Sequence, residues 1–95
     1  MNKKRLLQKI LSGSKNIRFY DLTTLLEAMG FIPDRVNGSH HIFKHPKVVE
    51  LINIQDVHGE AKPYQIRQVV ELIEAYNLTL KALEENPVEE EEENA

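Results

Sequence analysis

The sequence predicts an α+β fold in which two helices precede three antiparallel strands and a third helix follows them. Apolar residues recur at helical spacing over residues 3–11, 21–29 and 63–76. Between the last two helices lie three extended runs, at residues 31–36, 40–45 and 48–55, separated by short breaks. Strands that are joined by such short connections form an antiparallel meander. Helices packed on one face would leave the other face open.

The ends of the helices carry recognisable signals. The first helix, Lys3 to Leu11, should stop at Gly13. Asp21 is expected to cap the second, which runs to Met29 and ends where Gly30 takes a left-handed conformation. Pro63 suits the first turn of the third helix, which should run to about Tyr76 and end at Asn77.

The strands are expected to form a sheet whose first member is an edge strand, because Pro33 cannot donate a hydrogen bond to a neighbour. Asn37-Gly38 predicts a tight turn, and Pro46-Lys47 breaks the second strand. Side chains alternate along a strand, so two sets share opposite faces of the second strand. Each set contains one apolar residue, so this strand alone does not show which set faces the core: His41, Phe43 and His45, or His40, Ile42 and Lys44.

The chain has 95 residues, which predicts a single domain, taken as residues 1–83, and an acidic tail at 84–95 that should be disordered. All 12 Lys and Arg lie at or before Lys81, whereas seven of the 15 acids lie from Glu84 onward. Residues 1–83 therefore carry a net charge of +4, which suits a phosphate-binding surface. The tail would either aid solubility or compete with RNA for that surface.

The composition also excludes some classes of site and location. There is no cysteine, so disulfides and cysteine-based zinc sites are excluded. No run is apolar enough for a signal peptide or a membrane span, so a cytoplasmic protein without membrane contact is expected.

The segment Gly38 to Pro46, GSHHIFKHP, holds the residues best suited to chemistry. Histidine exchanges a proton near neutral pH, and RNA supplies its own nucleophile, the 2′-hydroxyl. Cleavage of RNA then needs a base, groups that hold the phosphate and an acid that protonates the leaving oxygen, but it needs no metal. A zinc site is the alternative, but His41 and His45 would lie about 13 Å apart on a strand. His58 is either a second acid–base group or a turn residue.

The segments Leu22 to Phe31 and Gly38 to Pro46, with the helix after Lys62-Pro63, resemble the HicA family of toxin–antitoxin ribonucleases over about residues 21–78. The resemblance implies a fold like the double-stranded-RNA-binding domain, helix–three antiparallel strands–helix. It also implies a metal-independent endoribonuclease without cofactor that acts on mRNA, with a HicB-type antitoxin as partner. No contact with DNA is expected.

The resemblance places the catalytic histidine at His40, with His41 as the second candidate. Six further residues are expected to contact RNA: Gly38, Ser39, Lys44, His45, Arg35 and Lys47.

The sequence departs from the family pattern in three places. The acidic tail is additional to the family pattern. The N-terminal helix, at about residues 3–12, is also additional. This helix would contact RNA through its basic residues, form an interface with another subunit, or pack as a cap on the core. The third strand runs into Asp56-Val57-His58-Gly59, where a Val-Pro-type end and a basic loop are expected. Two other functions therefore stay open: a non-catalytic RNA-binding module, and an inactive partner that only binds an antitoxin.

Overall fold

The computed structural model describes residues 2–81 and confirms the predicted α+β order of helix, helix, three strands and helix. The acidic tail predicted at residues 84–95, and residues 1, 82 and 83 of the predicted domain, lie outside the described residues. The elements are α1 (Lys3–Leu11), α2 (Phe19–Ala28), β1 (Ile32–Asn37), β2 (His40–His45), β3 (Val48–Gln55) and α3 (Pro63–Tyr76).

The three strands form an antiparallel sheet in the order β1-β2-β3, so the strand that contains Pro33 lies at an edge, as predicted. Asn37 pairs with His40, which leaves Gly38 and Ser39 as the two-residue loop of the first hairpin. Gly38 has a φ of 65°, which fits a type II′ turn with glycine at its first central position. The register shifts once in each pairing, between Pro33 and Arg35 and between Phe43 and His45.

The helices cover one face of the sheet, and the core lies between them. Phe43, Ile52 and Ile54 point into it from β2 and β3 and are almost fully buried. Burial of each such side chain stabilises the fold by about 1.5–3 kcal/mol. The helices supply the other core residues, among them Leu22, Leu25, Leu26, Ile66, Val69 and Ile73.

Helix α1 packs on the core through Leu6 and Ile10, which are both buried. It contacts both α2 and α3, so the interpretation of this helix as a packed cap is confirmed. Asn2 caps it by accepting a hydrogen bond from the backbone N–H of Arg5. Leu78 and Leu80 also dock on the core after α3 ends at Asn77, whose φ of 53° is left-handed.

The second helix begins at Phe19, two residues earlier than predicted. Asp21 lies in its first turn and is not the cap; the capping position belongs to Arg18, whose side chain makes no capping hydrogen bond. The start is fixed from outside the helix, because Phe19 N donates to Gly59 O at 2.9 Å. A pairing between distant loops thus replaces the local cap that the sequence suggested. β1 also begins one residue later than predicted, and Phe31 joins the core.

Tyr76, at the end of α3, donates a hydrogen bond of 2.7 Å to Glu50 Oε1 on β3. This bond stabilises the carboxylate and lowers the pKa of Glu50 below 4.5, and it raises the pKa of the Tyr76 hydroxyl above 10.0. The contact joins α3 to β3 at the end of the sheet away from the first hairpin.

Gly30 closes α2 with a φ of 99°, which confirms the predicted left-handed ending. The site is also crowded, because a Cβ atom at this position would lie 2.9 Å from His45 Nε2. That nitrogen donates to Met29 O at 3.0 Å, and His45 Nδ1 accepts from Lys47 N at 3.0 Å. His45 therefore ties the end of α2 to the end of β2, and only glycine leaves room for its ring.

Gly30→Ala should destabilise the protein more than Gly13→Ala. Both glycines have positive φ, but a Cβ at Gly13 would meet nothing within 4 Å. Gly13→Ala therefore carries only the left-handed penalty of about 1–2 kcal/mol. Gly30→Ala should lose about 1–3 kcal/mol more, because the new methyl displaces the His45 ring. Urea unfolding of both variants measures the difference, and equal losses would contradict the crowding at Gly30.

Candidate active site on the open face of the sheet

The alternation of β3 shows which face of the sheet is open. Ile52 and Ile54 are buried, whereas Leu51 and Asn53, which alternate with them, are exposed. Asn53 pairs with Ile42, so the set that contains Ile42 shares its face. The open face therefore carries His40, Ile42 and Lys44 from β2, with Arg35 and Asn37 from β1 and Leu51, Asn53 and Gln55 from β3.

His40 stands at the start of β2, directly after the Gly38-Ser39 turn. Its side chain is partly exposed, and its Nδ1 atom lies 3.1 Å from Asn53 Oδ1 on the neighbouring strand. The histidine that the resemblance favours is thus accessible on the open face and is held by a cross-strand hydrogen bond.

The Gly38-Ser39 turn is held in place by hydrogen bonds from the last residue of β3 and from the residue that follows β3. Asp56 N donates to Ser39 O at 2.9 Å, and Gln55 Nε2 donates to Ser39 Oγ at 3.4 Å. The backbone N–H of Gln55 in turn donates to Gln65 Oε1 at 2.8 Å. Gln65 lies on α3 and is 3% exposed, so a buried side chain of the helix layer fixes the strand that supports the turn.

His41 points to the opposite side, toward the helices. Its ring lies at a tilted angle against the ring of Phe19, with 4.6 Å between the ring centroids. The side chain is partly exposed, so it is not sealed in the core. His40 and His41 nevertheless face different surroundings, because consecutive residues of a strand point to opposite faces.

His45 and Lys47 lie at the far end of β2. His45 lies five positions after His40, which corresponds to about 17 Å between their backbone positions along a strand. Both ring nitrogens of His45 are used within the protein, and the ring packs edge-on against Phe31 at 4.8 Å between centroids. The structure therefore does not bring these two predicted RNA contacts next to His40.

Arg35 and Lys44 are the cations on the open face of the sheet, and both pair with Asp34. Arg35 Nη1 lies 3.0 Å from Asp34 Oδ2, and Lys44 Nζ lies 3.6 Å from Asp34 Oδ1. The two cations are more than half exposed, so these ion pairs are weak and leave the cations able to turn toward a phosphate. Arg35 pairs with Ile42 and so lies nearer to His40 than Lys44 does.

His58 lies in a turn, which is one of the two interpretations that the sequence left open. It is exposed, has a φ of 53°, and is flanked by a bridge between Val57 and Glu60. Asp56 Oδ1 shapes this turn by accepting a hydrogen bond from Gly59 N at 2.8 Å. Within residues 2–81, no three His, Asp or Glu side chains converge as metal ligands would.

An apolar groove of about 460 Å³ lies between the end of α1 and α3. Its walls include Ile10, Leu11, Ile66 and Val70, with Lys15, Arg67 and Glu71 as charged residues. None of the four histidines lines it, so the groove does not overlap the candidate histidine site on the sheet.

A family model for the HicA toxin of bacterial toxin–antitoxin systems matches residues 19–75, which is more than half of the chain. The chain belongs to the HicA toxin family. The match begins where α2 begins, so α1 is additional to the HicA region, as expected. Neither a curated relative nor a solved structure matches the chain significantly.

Membership of the HicA family gives the chain a toxin function, with RNA as the substrate and an antitoxin as the partner at the level of the family. The family activity is that of an RNase, which agrees with a histidine site on an accessible surface. Among the described helices, none has the length and apolar character needed to cross a membrane.

Reasoning from the sequence missed three residues of this region: Asn53, Gln65 and Asp34. The pattern Ile52-Asn53-Ile54-Gln55 does contain a signal, since two apolar residues alternate with two amides. That alternation identifies the open face and, with the meander order, places Asn53 near His40. Gln65 gave no such signal, because a glutamine on a helix is usually exposed.

Gln65→Met should weaken the support of the hairpin. The substitution keeps the length of the side chain but removes the acceptor of the Gln55 N–H, at an expected cost of about 1–3 kcal/mol in the free energy of unfolding. Gln68→Met, on a more exposed position of α3, is the matched control and should change stability much less. Hydrogen exchange of the Gln55 amide should also accelerate in Gln65→Met; unchanged exchange would argue against this link.

Proposed function

We propose that this HicA-family chain is a metal-independent endoribonuclease that cleaves mRNA in the cytoplasm, with His40 as its catalytic base. The observation that supports it best is the position of His40, which is partly exposed on the open face of the sheet and held by Asn53. The 12 Lys and Arg of the region before the tail give the folded part the charge that an RNA-binding protein needs.

In the proposed reaction, the His40 imidazole takes the proton of a ribose 2′-hydroxyl. The 2′ oxygen then bonds to the adjacent phosphorus, while the bond from phosphorus to the 5′ oxygen of the next nucleotide breaks. That oxygen takes a proton from water, and His40 returns its own proton to solvent. The products are a 2′,3′-cyclic phosphate and a 5′-hydroxyl end, and no electron donor or metal is needed.

The remaining proposed site residues would hold the phosphate. The turn residues Gly38 and Ser39 lie directly before His40, and Arg35 is the nearer cation of the open face. Lys44 lies about 13 Å along β2 from His40, at about 3.3 Å per residue, which suits the next phosphate better than the scissile one. His45 and Lys47 would contact RNA only if it extends to the far end of the strand.

The proposed protein partner is a HicB-type antitoxin that covers the open face. This face exposes Ile32 and Leu51 by 47% and 49%, beside the cations of β1 and β2. An acidic antitoxin surface with apolar residues at its centre would match both features.

His40→Ala should lower the cleavage rate by about 10²–10⁴-fold in the presence of EDTA, since a single catalytic histidine contributes a factor of that size. His41→Ala should have a much smaller effect, because its ring faces Phe19 on the other side of the sheet. The measurement is cleavage of a labelled mRNA by the full chain, with the ends of the products identified by mass spectrometry.

His58→Asn is the control, because asparagine tolerates the left-handed conformation of this exposed turn residue. It should cleave like the wild type. Loss of activity in His41→Ala but not in His40→Ala would transfer the catalytic role to His41. Undiminished cleavage by both alanine variants would remove the proposed chemistry. Salt-dependent RNA binding without any product would instead identify a non-catalytic RNA-binding module.

A further inference from the structure

The hydrogen bond between His40 and Asn53 has a defined direction. Oδ1 of a carboxamide only accepts, so the proton of this bond belongs to His40 Nδ1. In the neutral imidazole the other nitrogen, Nε2, is then unprotonated and carries a lone pair. A base that removes a 2′-hydroxyl proton needs such a lone pair, and the bond to Asn53 decides which nitrogen offers it.

The same bond persists when His40 gains a proton. Uptake at Nε2 leaves the Nδ1–H unchanged, so Asn53 Oδ1 continues to accept from it. A third group that orients the catalytic base and steadies its charged form is the recurring design of histidine-based sites. Here a neutral amide takes the place that a carboxylate holds in many of them.

The position of Asn53 is set by the sheet and not by a mobile loop. Asn53 pairs with Ile42, the next residue after His40 on the same face of β2, so Asn53 is a diagonal neighbour of His40. The buried residues on either side of it, Ile52 and Ile54, hold its strand in register. Diagonal neighbours of this kind are within reach of medium-length side chains. The orientation of the His40 ring is thus fixed by two strands of the core sheet.

The other histidines have different surroundings. His45 donates from Nε2 and accepts at Nδ1, which is the opposite tautomer, and both nitrogens are engaged. His41 packs against Phe19 on the helix side, and His58 occupies an exposed turn. Of the four histidines, all of which the structure describes, His40 is the one held by a side-chain acceptor on the open face.

We propose that Asn53 is a positioning residue of the active site: it holds the His40 ring with the proton on Nδ1 and directs Nε2 toward the RNA. This inference rests on the proposed function of His40. It goes beyond that function by assigning a role to a residue of β3 that touches the base and not the substrate.

The first test is the tautomer of His40, measured by ¹⁵N NMR on the full chain at a pH where the ring is neutral. The wild type should show the Nδ1–H form. Asn53→Ala should move His40 toward the Nε2–H form, which free imidazole side chains favour. Asn37→Ala is the matched control, because Asn37 is an asparagine on the same face that pairs with His40 from β1. This substitution should leave the tautomer unchanged. An unchanged tautomer in Asn53→Ala would overturn the proposal.

The second test is kinetic and uses a conservative variant. Asn53→Ala should lower kcat by about 10–100-fold with KM for RNA nearly unchanged, because the base is misplaced while binding is retained. Asn53→Asp keeps the accepting oxygen and should restore most of the rate. Its negative charge favours the protonated ring, so the acid limb of the pH–rate profile should move to higher pH.

The two readouts separate this proposal from the proposed function. A wild type that shows the Nδ1–H tautomer but never cleaves RNA would refute the nuclease and leave the positioning of the ring intact. A rise in KM without loss of kcat or change of tautomer in Asn53→Ala would show that Asn53 binds RNA directly, and would overturn its positioning role.

Discussion

The pleat of β2 is the constraint on which the functional interpretation depends. In a sheet covered on one face by helices, consecutive residues of a strand cannot share the same surroundings. His40 and His41 are adjacent in the chain, yet one lies on the open face beside Asn53 and the other lies against Phe19 under the helix layer. Two neighbouring histidines therefore offer one base on the open face and one residue at the boundary of the core.

The remainder of the fold serves to keep that division fixed. A slip of one residue in the register of β2 would exchange the two histidines between the faces. Buried Phe43 resists such a slip, because the slip would turn it toward water, and Ile52 and Ile54 hold the neighbouring strand with its apolar face on the core. At one end of β2 the Gln65–Gln55–Ser39 contacts hold the turn, and at the other His45 ties the strand to the end of α2. The candidate site thus depends on buried residues of the sheet and of the helix layer as well as on the residues proposed to contact RNA.

Much of this architecture could be predicted from the sequence, because its signals are local. Helical spacing, Gly30, Asn77 and Pro63 mark the helices, and Pro33 with the Gly38 turn defines the edge hairpin. The start of α2 could not be predicted, since Phe19 is held by Gly59, 40 positions away in the sequence. The identity of the open face was undecided on β2 alone, because each of its faces carries an apolar residue. It is decided by β3, where Ile52 and Ile54 alternate with Asn53 and Gln55.

The candidate site was predictable in part for the same reason. The glycine-serine-histidine segment locates the strand on which we propose the histidine chemistry, and it lies within the residues that the family model matches. The sequence alone could not show that both ring nitrogens of His45, which was expected to contact RNA, are used in holding the fold together. Nor could it show that Asp34 pairs with both Arg35 and Lys44, because these contacts arise at an irregular point of the β1–β2 pairing.

The most direct measurement of the central claim is to map where RNA binds. A short RNA with a 2′-O-methyl group on every ribose cannot be cleaved, and its addition to ¹⁵N-labelled protein reports the contact surface through amide chemical shifts. We expect the largest changes at Arg35, Ser39, His40 and Ile42, on the open face. Changes confined to α1, α2 and the surroundings of His41, with the open face unaffected, would contradict the account.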